Sequence, residues 1–155
     1  MNFTFTVYGT PVPQGSTRAF VPKGWTRPII TAANSKTKPW RQEIAGVCKN
    51  VLNGCSPAGS SRPVSVKIAF YFDKPKSTKK SVQYKTTKPD LDKLARSVLD
   101  ALTGIAFEDD SQVTDLRISK HFGSPARAEI EIAEDQSLSY PGPQHAGDLL
   151  AGLKQ

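Results

Sequence analysis

Two hydrophobic rhythms divide the chain. Residues 3–8, Phe-Thr-Phe-Thr-Val-Tyr, are apolar at every second position for most of their length, the pattern of a half-buried strand, and Gly9-Thr10-Pro11 ends it. Residues 38–53 change to the helical period, with Trp40, Ile44, Val47, Cys48 and Val51 on one face. Pro39 falls near the first turn, where its missing N–H costs little, and Gly54 closes the end. Residues 64–72, Val-Ser-Val-Lys-Ile-Ala-Phe-Tyr-Phe, alternate through Ile68 and then become almost continuously apolar, as a central strand does. Their end, Phe70-Tyr71-Phe72, reads as core, with an interface role as the alternative. Residues 91–103 carry the clearest helix: Leu91, Leu94, Ala95, Val98, Leu99 and Leu102 share one face, Asp90 stands at the N-cap and Gly104 follows the last turn. Strands near 112–120 and 127–133 complete the set.

The intervening segments are polar. Residues 9–36 are rich in Pro, Gly, Thr and basic side chains, with room for a short hairpin; an irregular stretch of that length in a compact domain is functional or mobile. On this loop Phe20 and Trp25 read first as surface packing and second as groups that stack on unpaired bases. Residues 55–62 are a small, polar linker. From Gln136 the chain turns to Ser, Pro and Gly and reads as a flexible tail with a short apolar end, Leu149-Leu150-Ala151-Gly152-Leu153. The order of elements predicts an α/β (α+β) fold: a single small domain over residues 1–135, with a mixed β-sheet of about four to five strands and two main helices, followed by the tail 136–155.

Length and composition agree. A chain of 155 residues makes one domain with a core of its own. No run approaches the ~18 apolar residues of a membrane span, and the N-terminus shows no export signal. Cys48 and Cys55 therefore read as reduced thiols of a cytoplasmic protein, and both histidines, His121 and His145, lie too far along the chain to suggest zinc.

Charge changes the picture more. The net charge is +7, yet residues 1–89 hold 15 Lys+Arg against 2 Asp+Glu, whereas residues 90–155 hold 6 against 12. A basic first part suits a polyanion such as nucleic acid, or is a solvated surface. Lys74, Lys76, Lys79, Lys80, Lys85 and Lys88 fall within fifteen residues, on a segment too polar to bury itself.

That basic segment leads into Lys88-Pro89-Asp90-Leu91-Asp92-Lys93-Leu94, and after the helix comes Glu108-Asp109-Asp110-Ser111-Gln112-Val113. Alone, each acidic group has a plain explanation: carboxylates suit a helix N-terminus, and polar turns are common. Asp92 and Arg96, four apart, also suit a helix-surface ion pair. Together they permit more. Asp90 and Asp92, either side of one apolar residue, can share a hard cation such as Mg²⁺, which takes one or two carboxylates and keeps several waters. A third carboxylate from residues 108–110 makes a site for phosphodiester hydrolysis, with Arg96 facing the phosphate. The helix is about 20 Å long, and the chain from Thr103 to Asp110 reaches about 23 Å at full stretch. The third carboxylate therefore returns along the helix or comes from a second subunit.

The three stretches Lys88–Leu94, Val98-Leu99-Asp100-Ala101-Leu102-Thr103-Gly104 and Glu108–Val113 resemble the RusA family of Holliday-junction resolvases, whose pattern is K-P-D-x-D-N-x-x-K, then D-A-L-N-G, then D-D-x-Q-V. The opening Val7-Tyr8-Gly9-Thr10-Pro11-Val12-Pro13-Gln14-Gly15 is similar to the family's start. The resemblance implies a small homodimer, of phage or prophage origin, that nicks four-way DNA junctions symmetrically with Mg²⁺, or Mn²⁺ as substitute. It assigns the metal carboxylates to Asp90, Asp92 and Asp110, with Asp109 as the alternative to Asp110. Two positions of the first motif depart from the pattern: the helix lysine is Arg96 here and the asparagine is Lys93. The expectation is a Mg²⁺-dependent endodeoxyribonuclease acting on branched DNA. Asp90, Asp92, Asp110 and Arg96 are its catalytic set, and Lys74, Lys76, Lys79, Lys80, Lys85, Lys88 and Lys93 hold DNA. The rivals are a branched-DNA-binding module without cleavage and a phosphoesterase for a smaller substrate.

Overall fold

The segment with the strongest strand pattern becomes the centre of the sheet. In the computed structural model, which describes residues 2–134 except Ser16, Ala33, Asn34, Ser56, Ser60 and Ser61, and only the backbone of 17–20 and 29–32, nine elements follow one another. They are β1 (Asn2–Tyr8), β2 (Thr17–Phe20), β3 (Ile29–Ala32), α1 (Thr37–Leu52), β4 (Val64–Phe72), α2 (Leu91–Leu102), a 3-10 turn (Asp110–Gln112), β5 (Val113–Phe122) and β6 (Arg127–Glu134). The main sheet has the order β1-β6-β4-β5. β4 and β5 are parallel and joined through α2; β6 lies antiparallel to both β4 and β1, so the sheet is mixed. β2 and β3 pair as the short hairpin for which the 9–36 segment has room. The flexible tail expected over 136–155 lies outside the described residues.

Alternation decides which face is covered. Val64, Val66, Ile68, Phe70 and Phe72 of β4 are buried, as are Ala128, Ile130 and Ile132 of β6 and Phe5 and Val7 of β1. Against them pack Leu94, Val98 and Leu102 of α2 and Trp40, Ile44, Cys48 and Leu52 of α1. Phe70 and Phe72 are core, as read; Tyr71 faces the other way and stacks between His121 and the Arg127 guanidinium. The α1 face is corrected at its end. Steps of four from Trp40 lead to Leu52, while Val51 is rotated away and exposed. Its closure also differs, because Asn53 adopts the left-handed conformation ahead of Gly54. Trp25, read first as packed on the domain's surface, is 61% exposed.

Gly9 is required where it stands. Its φ is +128°, and an added Cβ would meet the Trp40 ring at 3.4 Å. The following loop reaches α2, where the Gln14 N–H donates to the Lys93 carbonyl at 2.8 Å.

The two thiols are distinct. Burial on α1 pushes the Cys48 thiol up to about 11, whereas Cys55 is exposed. At pH 8, iodoacetamide is expected to modify Cys55 alone on the native protein, as read by mass spectrometry; double labelling would mean the α1 core face opens. Since the folded thiol holds its proton more tightly than the unfolded one, this contribution to stability is complete below pH ~9 and declines as pH rises toward ~11.

Candidate active site

Lys88-Pro89-Asp90 delivers the chain from the lysine-rich segment into α2. Asp90 takes the N-cap position with extended backbone (φ −71°, ψ 141°), but its side chain makes no capping hydrogen bond. The plain capping role is thus unfilled, and the carboxylate is exposed at the mouth of the helix. Asp92 lies in the first turn, also exposed. It pairs at 2.7 Å with Lys93 rather than with Arg96, and that hydrogen bond holds its carboxyl below the usual carboxylate range. Arg96 is exposed and, among the described residues, has no ion-pair partner. Asp100, on the same helix, is used by the fold: Arg41 of α1 approaches it at 3.5 Å and donates to its backbone carbonyl at 3.2 Å.

The lysine segment divides in two. Lys76, Lys79, Lys80 and Lys88 are exposed. Lys74 turns back to donate to the carbonyl of Lys80 at 2.9 Å, closing its own loop. Lys85 spans the Phe72 and Phe122 rings and donates to Thr87 Oγ1 at 2.7 Å. Residues 83–85 run beside the end of β5, where the Phe122 N–H donates to the Gln83 carbonyl at 2.7 Å and Tyr84 bridges His121. The basic segment therefore adds a short extra pairing to the sheet edge before it enters the acidic site.

Sequence reasoning missed Lys120. It lies on β5 opposite Phe70 of β4, and its ammonium donates to the carbonyls of Thr87 at 2.8 Å and Pro89 at 2.6 Å. Desolvation, then repulsion from Lys85, lowers its pKa, against which the Asp90 charge acts. A lysine within an apolar-to-polar alternation gives no signal of such a reach.

Gln112 was also missed as a residue with its own role. Its side chain is buried and makes five contacts. Nε2 donates to the carbonyls of Ala58 (3.3 Å), Gly59 (2.7 Å) and Arg62 (3.1 Å), while Oε1 accepts from the N–H groups of Glu108 (2.8 Å) and Asp109 (3.0 Å). Asp109 in turn accepts from the Ser111 N–H at 2.9 Å, which lowers its pKa. Asp109 is a turn cap, and Asp110 is exposed with no such duty.

The position of this turn is the main surprise of the site. Phe107 is fully buried and Ala58 pairs with it, so the chain leaving α2 is drawn to the 55–62 linker and not back along the helix. Asp110 then leads directly into Val113, which pairs with Val64 at the start of β4. Asp90 lies near Lys120, seven residues farther along β5, a distance of about 23 Å in a strand. The twelve residues of α2 separate the same two ends by about 18 Å. Among the described residues, no three Asp, Glu, His or Cys side chains of one chain meet in a metal-holding group. Asp90 and Asp92 do fit a hard cation as a pair: exposed carboxylate oxygens at a position where neither side chain caps the helix.

Exposed paired carboxylates, a free arginine one turn on and a basic approach suit the chemistry of nucleic-acid phosphodiester hydrolysis. The family model described as "Endodeoxyribonuclease RusA" matches residues 9–133, and the chain belongs to that family. It is 35% identical over 140 residues to "Uncharacterized protein YqaN" of Bacillus subtilis (strain 168), covering 84% of this chain and 94% of that protein. It is 36% identical over 73 residues to "Crossover junction endodeoxyribonuclease rusA" of Lactococcus phage r1t, covering 46% of this chain and 55% of the phage protein. No helix among the described residues is long and apolar enough to cross a membrane.

Proposed function

We propose that this protein is a Mg²⁺-dependent, structure-selective endodeoxyribonuclease that resolves Holliday junctions and other branched DNA by paired nicks. The observation that carries the reading is the Asp90/Asp92 pair, exposed at the head of α2 with no cap to form and beside a cationic approach. The phage relative carries the name of a crossover junction endodeoxyribonuclease.

Asp90 and Asp92 hold the divalent ion, with Mn²⁺ as a substitute. When bound, the ion supplies charge neutralisation and an activated water. Arg96 orients the scissile phosphate through paired N–H donors and keeps its charge throughout. Lys93, bonded to Asp92, places a second cation beside the same phosphate. Lys76, Lys79, Lys80 and Lys88 grip the strand before it crosses the carboxylates, while Lys74 and Lys85 shape the loop that presents them. The enzyme works as a homodimer, because two strands are cut at two-fold related positions. In this dimer the third carboxylate of each site, Asp110, comes from the partner subunit, since its own chain carries it to the far end of the sheet.

The deciding experiment incubates the purified protein with a synthetic four-way junction, a fork and a linear duplex, with and without Mg²⁺. Paired nicks in the junction, nicking of the fork and an intact duplex, only with the ion, are the expected result. Tight junction binding without nicks at any Mg²⁺ or Mn²⁺ concentration would replace the enzyme with a binding module. Replacing Lys79 and Lys80 by Ala is expected to weaken binding to all DNA and to reduce the log–log salt slope by about two; an unchanged slope would remove these lysines from the phosphate contacts.

A further inference from the structure

A lysine on the helix-covered side of a sheet is unusual, because its ammonium must leave the apolar layer to be solvated or bonded. Lys120 is such a lysine. Its neighbour across β4 is Phe70, which is fully buried. The ammonium emerges at the head of α2 and donates to the carbonyls of Thr87 and Pro89, the latter belonging to the peptide that leads into Asp90. Lys85 also bonds this segment, through Thr87 Oγ1. Asp90 has no capping bond that would orient it on its own helix.

We propose that Lys120 is a positioning residue of the acidic site: it clamps the Thr87–Pro89 lead-in and thereby presents the Asp90 carboxylate to a divalent ion. The inference rests on the nuclease reading above. It differs from a DNA-contact role because two of the three ammonium protons are already committed to backbone carbonyls. Residues that orient a metal-binding side chain without touching the metal commonly alter affinity or activity by about 10- to 100-fold.

The test uses the full chain with Lys120→Met, which keeps the aliphatic stem and removes the ammonium, and Lys120→Arg, which restores two-carbonyl donation. Mn²⁺ affinity is measured calorimetrically without DNA, four-way-junction affinity is measured in Ca²⁺, and nicking is followed against Mn²⁺ concentration. Lys120→Met is expected to weaken Mn²⁺ binding about 10- to 100-fold. It should keep junction affinity within about two-fold and regain most of its nicking rate at saturating Mn²⁺. Lys120→Arg should bind Mn²⁺ nearly as the wild type does. Unchanged Mn²⁺ affinity in Lys120→Met, or a loss of junction affinity in its place, overturns the proposal. Should the methionine variant fail to fold, Lys120→Gln is read by the same criteria. A wild-type protein that leaves every junction uncut removes the nuclease reading itself, an outcome distinct from any behaviour of the variants.

Discussion

Mixing Asp92→Asn protein with Asp110→Asn protein is expected to restore DNA nicking that neither variant shows alone. Each single substitution removes one charged oxygen ligand and is expected to slow nicking by about 1,000-fold, some 4 kcal/mol of transition-state stabilisation. Junction binding should persist or tighten in Asp92→Asn, because a negative charge facing phosphate is gone. The mixing result follows from the position of Asp110. The turn ahead of β5 holds it at the end of the sheet opposite the head of α2, so the proposed three-carboxylate site would draw on two chains. In a mixed dimer one site then combines both substitutions and the other has neither. Random exchange yields about a quarter of wild-type sites, and these make single nicks where the wild type makes pairs. A 5′-labelled junction on a denaturing gel separates the two products, and differently tagged subunits show that exchange has occurred. Exchanged subunits without activity would place all three carboxylates in one chain, which the register of β4 and β5 opposes.

The second large effect concerns stability. Gln112→Leu is expected to cost about 3 kcal/mol and to lower the melting temperature by about 10 °C. Leucine fills a similar volume but has no polar atoms. Three carbonyls of the 58–62 linker and the N–H groups of Glu108 and Asp109 would lose their shared partner within a largely enclosed space. Unmet buried groups, more than lost bonds, set the magnitude. The same change releases the turn that presents Asp110, so nicking should fall at temperatures where the variant is still folded. Thermal unfolding followed by circular dichroism checks the first effect; a shift under 2 °C would mean that water replaces the amide at little cost.

Local patterns were the legible part of this protein. β4 spans the alternating and then apolar run 64–72, α2 follows its leucine face to within a residue, and the hairpin falls within the Pro- and Gly-rich stretch that left room for it. The motifs marked Asp90, Asp92 and Asp110 without saying what lay between them. Two residues that hold these acidic segments in place carry little sequence signal of their own. Lys120 looks like any polar position in an alternating strand, and Gln112 like a turn residue, because the carbonyls they bond are 31 to 54 residues away.

The sequence by itself determined the secondary elements, the class of sheet, the family and which carboxylates are candidates, since each depends on side-chain periodicity or on residue types at close spacing. Only the tertiary structure decided how those carboxylates are distributed. Burial of Phe107 and the amide contacts of Gln112 draw the chain leaving α2 to the linker, and parallel pairing of β5 with β4 then sets Asp110 and Asp90 at opposite ends of one sheet. Chain reach allowed either placement; packing selected one.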